Sequence, residues 1–173
     1  MLGTAGWVPA LLLLVVAAPE TKPSALQASG NARDPVRWSA SVADPKRAAR
    51  AGERIDIQLS ADLDKGWHLY SLTPVPQGPA PTIIGLTVGQ PFTLAGEIAE
   101  PLPLTKYDPN FDRDTSFFED AVTFVLPVKI DASAKAGAQV VNVAVSFQVC
   151  DSHVCLPPAR LVVAAPVTIT KER

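Results

Sequence analysis

The sequence predicts an all-β fold, an immunoglobulin-like β-sandwich, on three observations. Apolar and polar residues alternate with a period of two in several short runs. The 17 prolines and 10 glycines are scattered along the whole chain, punctuation that suits short strands better than long helices. No helical period of 3.6 is sustained after the N-terminal region. A chain of 173 residues, 47% hydrophobic and 18% charged, is long enough for one full core and is not composed like a disordered segment. The net charge of −2 is a balance of dispersed signs, without a basic cluster, which argues against nucleic acid as a partner.

The first candidate element is the apolar run Val8 to Ala18, too short for a bilayer span of about 20 residues. It fits the core of a secretory signal over residues 1–18, with Val15 and Ala17 placed for cleavage, although no Lys or Arg precedes it. Residues 19–35 are small, polar and proline-containing, and read as a flexible linker. The sandwich is expected over 36–171. In "VRWSASV", Val36, Trp38, Ala40 and Val42 share one face. In "IDIQLSADL", Ile55, Ile57, Leu59, Ala61 and Leu63 alternate with polar residues, a half-buried strand. "DKG" turns the chain, and "WHLYSL" resumes an extended pattern. Further strands are expected in "TIIGLTV", "TLAGEIA", "AVTFVLPVKI", "VVNVAVSFQVC" and "RLVVAAPVTIT". Ala99 to Glu119 reads as a long irregular stretch. About seven or eight short strands in a chain of this kind fit a sandwich. The cysteine pair that usually joins two immunoglobulin sheets is absent, because the two cysteines are close neighbours.

Those cysteines, Cys150 and Cys155, carry the chemistry. In the strand leading to them Val141, Val143, Val145, Phe147 and Val149 share one face, so parity puts Cys150 with the polar set of the other. Asp151 to Val154 can form a hairpin loop that sets Cys150 opposite Cys155, near enough for a disulfide. That pairing, continued, sets Val145 opposite Arg160 and mixes the faces. A slip or bulge at Pro157-Pro158, where neither residue can donate to a ladder, repairs it. Three uses of the pair stay open at this point. As a static staple the bridge closes so short a loop that it supplies roughly 2 kcal/mol, against about 4.7 for a 100-residue loop. As a metal site, Cys150, His153, Cys155 and His68 are a ligand set at no common zinc spacing. As a redox pair, its thiolates are favoured by His153 when protonated and opposed by Asp151.

Two stretches, "KGWHLYSLTP" and "VSFQVCDSHVCLPPA", resemble the N-terminal domain of the disulfide-interchange protein DsbD family. The matching positions are Gly66-Trp67-His68-Leu69-Tyr70, Gln148-Val149-Cys150 and Cys155-Leu156-Pro157-Pro158, and the likeness runs from about Pro35 to Thr170. The resemblance implies a periplasmic sandwich whose Cys150/Cys155 pair cycles between dithiol and disulfide, with no metal or organic cofactor. It implies electrons received from a thioredoxin-like domain or membrane electron-transfer protein and passed to oxidised periplasmic proteins such as disulfide isomerases and cytochrome-maturation factors. Cys155 matches the cysteine that forms the mixed disulfide, and Cys150 its resolving partner. Phe111 matches a cap-loop aromatic that shields the pair, and His68 and Tyr70 match tyrosines beside it. Three departures stand out. His68 replaces an aromatic hydroxyl. Pro109-Asn110, not an acidic pair, precede Phe111. The sequence ends at Arg173, so the electron donor is expected to be a separate protein. The competing expectation is a binding or scaffold domain with a static disulfide.

Overall fold

The computed structural model describes residues 34–170, and these form β-strands, turns and loops without a helix among the described residues. The expected signal over 1–18 lies outside the described residues, as does nearly all of the expected linker over 19–35.

Strand β1 (Val36–Val42) pairs antiparallel with β3 (Arg54–Leu63), with the short β2 (Ala49–Arg50) between them in the chain. In β3 burial alternates residue by residue, with Ile57, Leu59 and Ala61 fully enclosed, as the period-two pattern requires. On its other side β3 pairs with β9 (Ala121–Ile130), which in turn holds β6 (Phe92–Leu94). The first sheet therefore has the order β1-β3-β9-β6. The second sheet is built on a long antiparallel pair, β10 (Gly137–Phe147) and β12 (Ala159–Thr170), flanked by β5 (Ile83–Leu86) and β2. Its inward residues Val141, Val143, Val145, Val163 and Ala165 meet those of β1, β3 and β9 in one core. Trp38 packs there against Phe124 and Phe147.

The third sheet, β11-β4-β8-β7, carries the candidate site. It contains β4 (His68–Tyr70), β7 (Leu104–Asp108), β8 (Arg113–Glu119) and β11 (Val149–Cys150). One of its faces, with Leu69, Phe118 and Val149, closes the end of the main core. Gly66 enters this sheet with φ +88°, a left-handed turn conformation that a side chain would resist.

Two expectations about elements change. Ala99 to Glu119 is not one irregular stretch: it holds the β7–β8 hairpin. The "TLAGEIA" strand is cut short at Leu94, followed only by a bridge between Ala99 and Val125. The cause lies in β9. The Pro127 carbonyl accepts the Ala95 N–H at 2.8 Å, so the side of Pro127 that faces β6 has an acceptor but no donor, and the ladder parts there.

Candidate functional site

The local chain geometry at the cysteines follows from the register. In the β10–β12 ladder Val145 faces Leu161 and Phe147 faces Ala159. Cys150 nevertheless bridges to Cys155, one residue out of that register. The extra residue lies in Leu156-Pro157-Pro158, so the irregularity falls where the prolines predict it. Leu156 still donates its N–H to the Val149 carbonyl at 3.0 Å, the last contact before the prolines.

Cys150 and Cys155 form a disulfide with their Cα atoms 4.0 Å apart. The loop between them is held by Asp151, whose Oδ1 accepts the backbone N–H groups of His153 and Val154, each at 2.7 Å. Those two bonds hold the Asp151 carboxyl below the usual carboxylate range. His153 sits exposed on this loop, with Nδ1 bonded to the Ser152 hydroxyl at 2.7 Å. The ligand set considered from sequence has no thiolate to offer in this state, because the two sulfurs are bonded to each other.

Parity places Cys150 on the face opposite Val149, as expected, but that face is not open. Cys150 has 0% exposure, while Cys155 is only partly buried. Strand alternation put Cys150 with the polar set and so named a face, and the third sheet with its hairpin covers that face. A small cluster of Tyr70, Phe117 and Cys150, with Phe111 and Cys155 against it, stands apart from the main core.

Cross-strand pairing explains the cluster. His68 is the partner of Cys150, and on the other side of β4 Tyr70 is the partner of Phe117. His68 and Tyr70 share a parity opposite to Leu69, so both face the site while Leu69 enters the core. The Tyr70 hydroxyl donates to Asp108 Oδ2 at 2.6 Å and lies 3.0 Å from His68 Nε2. Asp108 is itself buried and also receives the Thr115 hydroxyl at 3.3 Å and the Asn110 N–H at 2.9 Å. Burial, then the bond to Asp108, pushes the Tyr70 phenol far above its ordinary range. His68 is pulled in two directions: burial lowers its pKa, while Asp108, 3.7 Å away, raises it. Burial wins, because the ring is largely desolvated and its contact with Asp108 is too long for a direct hydrogen bond.

Phe111 rides at the tip of the β7–β8 hairpin. Asp108 opens the tip by accepting the Asn110 N–H, and its carbonyl accepts the Phe111 N–H at 3.2 Å, a turn with Pro109 at its second position. Asp112 follows in the left-handed region at φ +52°, which Asp tolerates. The tip is fastened to the cysteine loop by Asn110, whose Nδ2 donates to the Asp151 carbonyl at 2.9 Å. The Phe111 ring meets Tyr70 edge-on with centroids 5.9 Å apart. The structure thus brings Cys150, Cys155, His68, Tyr70 and Phe111 together and leaves His153 at the exposed rim.

Asp108, Thr115, Phe117 and Asn110 were not read as site residues from sequence. The "DPN" turn signal was the available clue, since it implies a hairpin whose alternation carries Asp108, Thr115 and Phe117 to one face. Gln148, a motif residue without an assigned role, ties two loops: its side chain accepts the Ala80 N–H at 2.9 Å and donates to the Leu156 carbonyl at 3.2 Å.

Fold and site together define a class of domain: an immunoglobulin-like sandwich whose disulfide closes a hairpin mouth beneath a capping hairpin. Residues 39–166 match the family described as thiol:disulfide interchange protein DsbD, N-terminal, and the chain belongs to that family. A similar solved structure is the N-terminal periplasmic domain of ScsB from Proteus mirabilis, at 15% identity and TM-score 0.54, over 81% of this chain and 49% of that one. The chain therefore spans about half the length of that structure, and the likeness is one of fold. The DsbD N-terminal domain of Neisseria meningitidis in the reduced form matches at 14% identity and TM-score 0.45, over 76% of this chain and 86% of that one. No curated protein matches the chain.

Proposed function

We propose that this domain, bounded at 36–171 and exported to the periplasm behind a signal over 1–18 and a linker over 19–35, exchanges its Cys150–Cys155 disulfide with partner proteins. The observation that carries the reading is the unequal burial of the two sulfurs' residues. Cys155 reaches the surface in part, and Cys150 does not. A partner can meet only the exposed sulfur, so Cys155 is the residue that forms the mixed disulfide and Cys150 the one that resolves it. Phe111 is the cap that a partner must displace. The donor is a thioredoxin-like domain or membrane electron-transfer protein, and the recipients are oxidised periplasmic thiol proteins such as disulfide isomerases and cytochrome-maturation factors. Family membership supports this set of partners. Thiol chemistry alone supplies the reaction, without a metal or organic cofactor.

A static bridge is the competing reading, and the complete enclosure of Cys150 favours it. Trapping separates the roles. The reduced Cys150→Ala protein, mixed with a thioredoxin-like protein that keeps a single active-site cysteine activated as its disulfide with Ellman's thiol, is expected to accumulate a mixed disulfide through Cys155 as the coloured thiolate leaves. Accumulation only in the Cys155→Ala protein reverses the assignment, and none in either contradicts exchange.

A further inference from the structure

His68 is a titratable residue of the site to which the exchange reading gives no role. It is the cross-strand partner of Cys150 in the β4–β11 pair. Directly opposed residues hold their Cβ atoms about 4.5–5.5 Å apart on the same face. The His68 side chain is only 12% exposed, and its ring lies 4.5 Å from that of Phe117, centroid to centroid. Cys150 is fully enclosed in the oxidised protein, so its sulfur is shielded from bulk water as a proton acceptor. A thiol in apolar surroundings also holds its proton more tightly than a free one.

The hydrogen count at Tyr70 fixes the state of the imidazole. A phenol has one hydrogen, and Tyr70 gives it to Asp108 at 2.6 Å. Its oxygen can then only accept from His68 Nε2, 3.0 Å away. Neutral His68 therefore carries its hydrogen on Nε2 and keeps a bare lone pair on Nδ1. A proton arriving at Nδ1 creates an imidazolium that Asp108 faces from β7, Glu119 from β8 and Asp151 from beyond β11. The nearby cation is Lys106 on β7, already paired with Glu119 at 3.4 Å. These carboxylates offset part of the desolvation cost of the charge that proton transfer makes.

We propose that His68 takes the thiol proton of Cys150 during resolution of the mixed disulfide, an inference that rests on the exchange reading. The partner enters bonded to Cys155 Sγ. The Cys150 thiol gives its proton to His68 Nδ1, and its thiolate attacks Cys155 Sγ. The Cys150–Cys155 bond forms as the bond from Cys155 to the partner breaks. The partner sulfur leaves as thiolate with the electron pair and takes up a proton from His68 or water. The two cysteines are oxidised and the partner is reduced by two electrons. The neutral ring that burial maintains near pH 7 is the form able to accept.

Stopped-flow reaction of the reduced protein with Ellman's disulfide tests this, because each exchange step releases one coloured thiolate. The first release reports attack by Cys155, the second resolution by Cys150. In His68→Gln and His68→Phe the second release is expected to slow about tenfold or more near pH 7. Its pH profile moves toward the alkaline range of an unassisted thiol, while the first release keeps the wild-type profile. An unchanged second profile in either folded variant overturns the role of His68 alone. A wild-type bridge that dithiothreitol cannot reduce in the folded protein overturns both this role and the exchange reading.

Discussion

In the proposed cap role, Phe111 held against Tyr70 guards the disulfide. Their edge-on contact is worth about 0.5–1.5 kcal/mol, so Phe111→Ala should raise the open fraction of the cap roughly two- to twelvefold. The measurement is the rate at which a small thiol reduces the bridge, and an unchanged rate removes Phe111 from the guard. Tyr70→Phe leaves the buried Asp108 short of its closest donor and should cost about 1–3 kcal/mol in denaturant unfolding. Tyr70 also sets an alkaline limit. Its folded pKa is raised, so its contribution is fully present below the unfolded value of about 10 and is lost as pH rises through the folded value. For His68 the folded pKa is lowered, so stability is present above the ordinary value of about 6.5 and falls as pH drops through the folded one. A denaturation series in His68→Phe should lose this acid-side slope. At this scale the two cysteines and the family resemblance named Cys150, Cys155, His68, Tyr70, Phe111 and His153, and the structure groups all but His153, which stays exposed. The sequence hid Asp108, because an aspartate before a proline reads as a turn residue until the hairpin carries it under Tyr70.

The β7–β8 hairpin is the element that turns a disulfide into a covered site. Its fastening to the cysteine loop is the Asn110 bond to the Asp151 carbonyl. Asn110→Ala should weaken closure by about 0.5–1.5 kcal/mol without changing global stability. Faster amide exchange at Phe111 against unchanged exchange in β3 would show it. Equal protection at Phe111 in variant and wild type would mean the tip is held otherwise. This hairpin was illegible from alternation because β7 is an edge strand: four of its positions are exposed and only Asp108 is buried. A strand solvated on both faces has no period to read. By contrast β1 and β3 were plain, since each buries one face and wets the other. The proline rule worked at the cysteine arm, where it placed the register slip, and it also explains the broken β6 ladder beside Pro127. From β6 itself that break was invisible, because its cause lies on the neighbouring strand.

Across the whole molecule, the main core and the site are separate bodies of packing joined through β4, β8 and β11. Leu69 and Tyr70 are adjacent in sequence yet serve different clusters. Phe118 and Phe117 divide in the same way. Stability and exchange should therefore be separable. Leu59→Ala, in the enclosed centre of β3, should cost about 2–5 kcal/mol and leave the reactivity of the bridge unchanged. Opening the bridge should cost only about 2 kcal/mol and leave the sandwich folded. The sandwich was legible because alternation and punctuation are local signals. The covered state of Cys150 was not, since it depends on a third sheet formed by segments distant in sequence.

The most direct test of the exchange reading is the reduction potential of the Cys150–Cys155 pair in the folded protein. It is measured by equilibration in thiol buffers and, over the accessible range, against a thioredoxin-like protein. Exchange predicts a potential above about −300 mV with the fold retained in both states. A pair that stays oxidised below that value, in the range of structural disulfides, would contradict it.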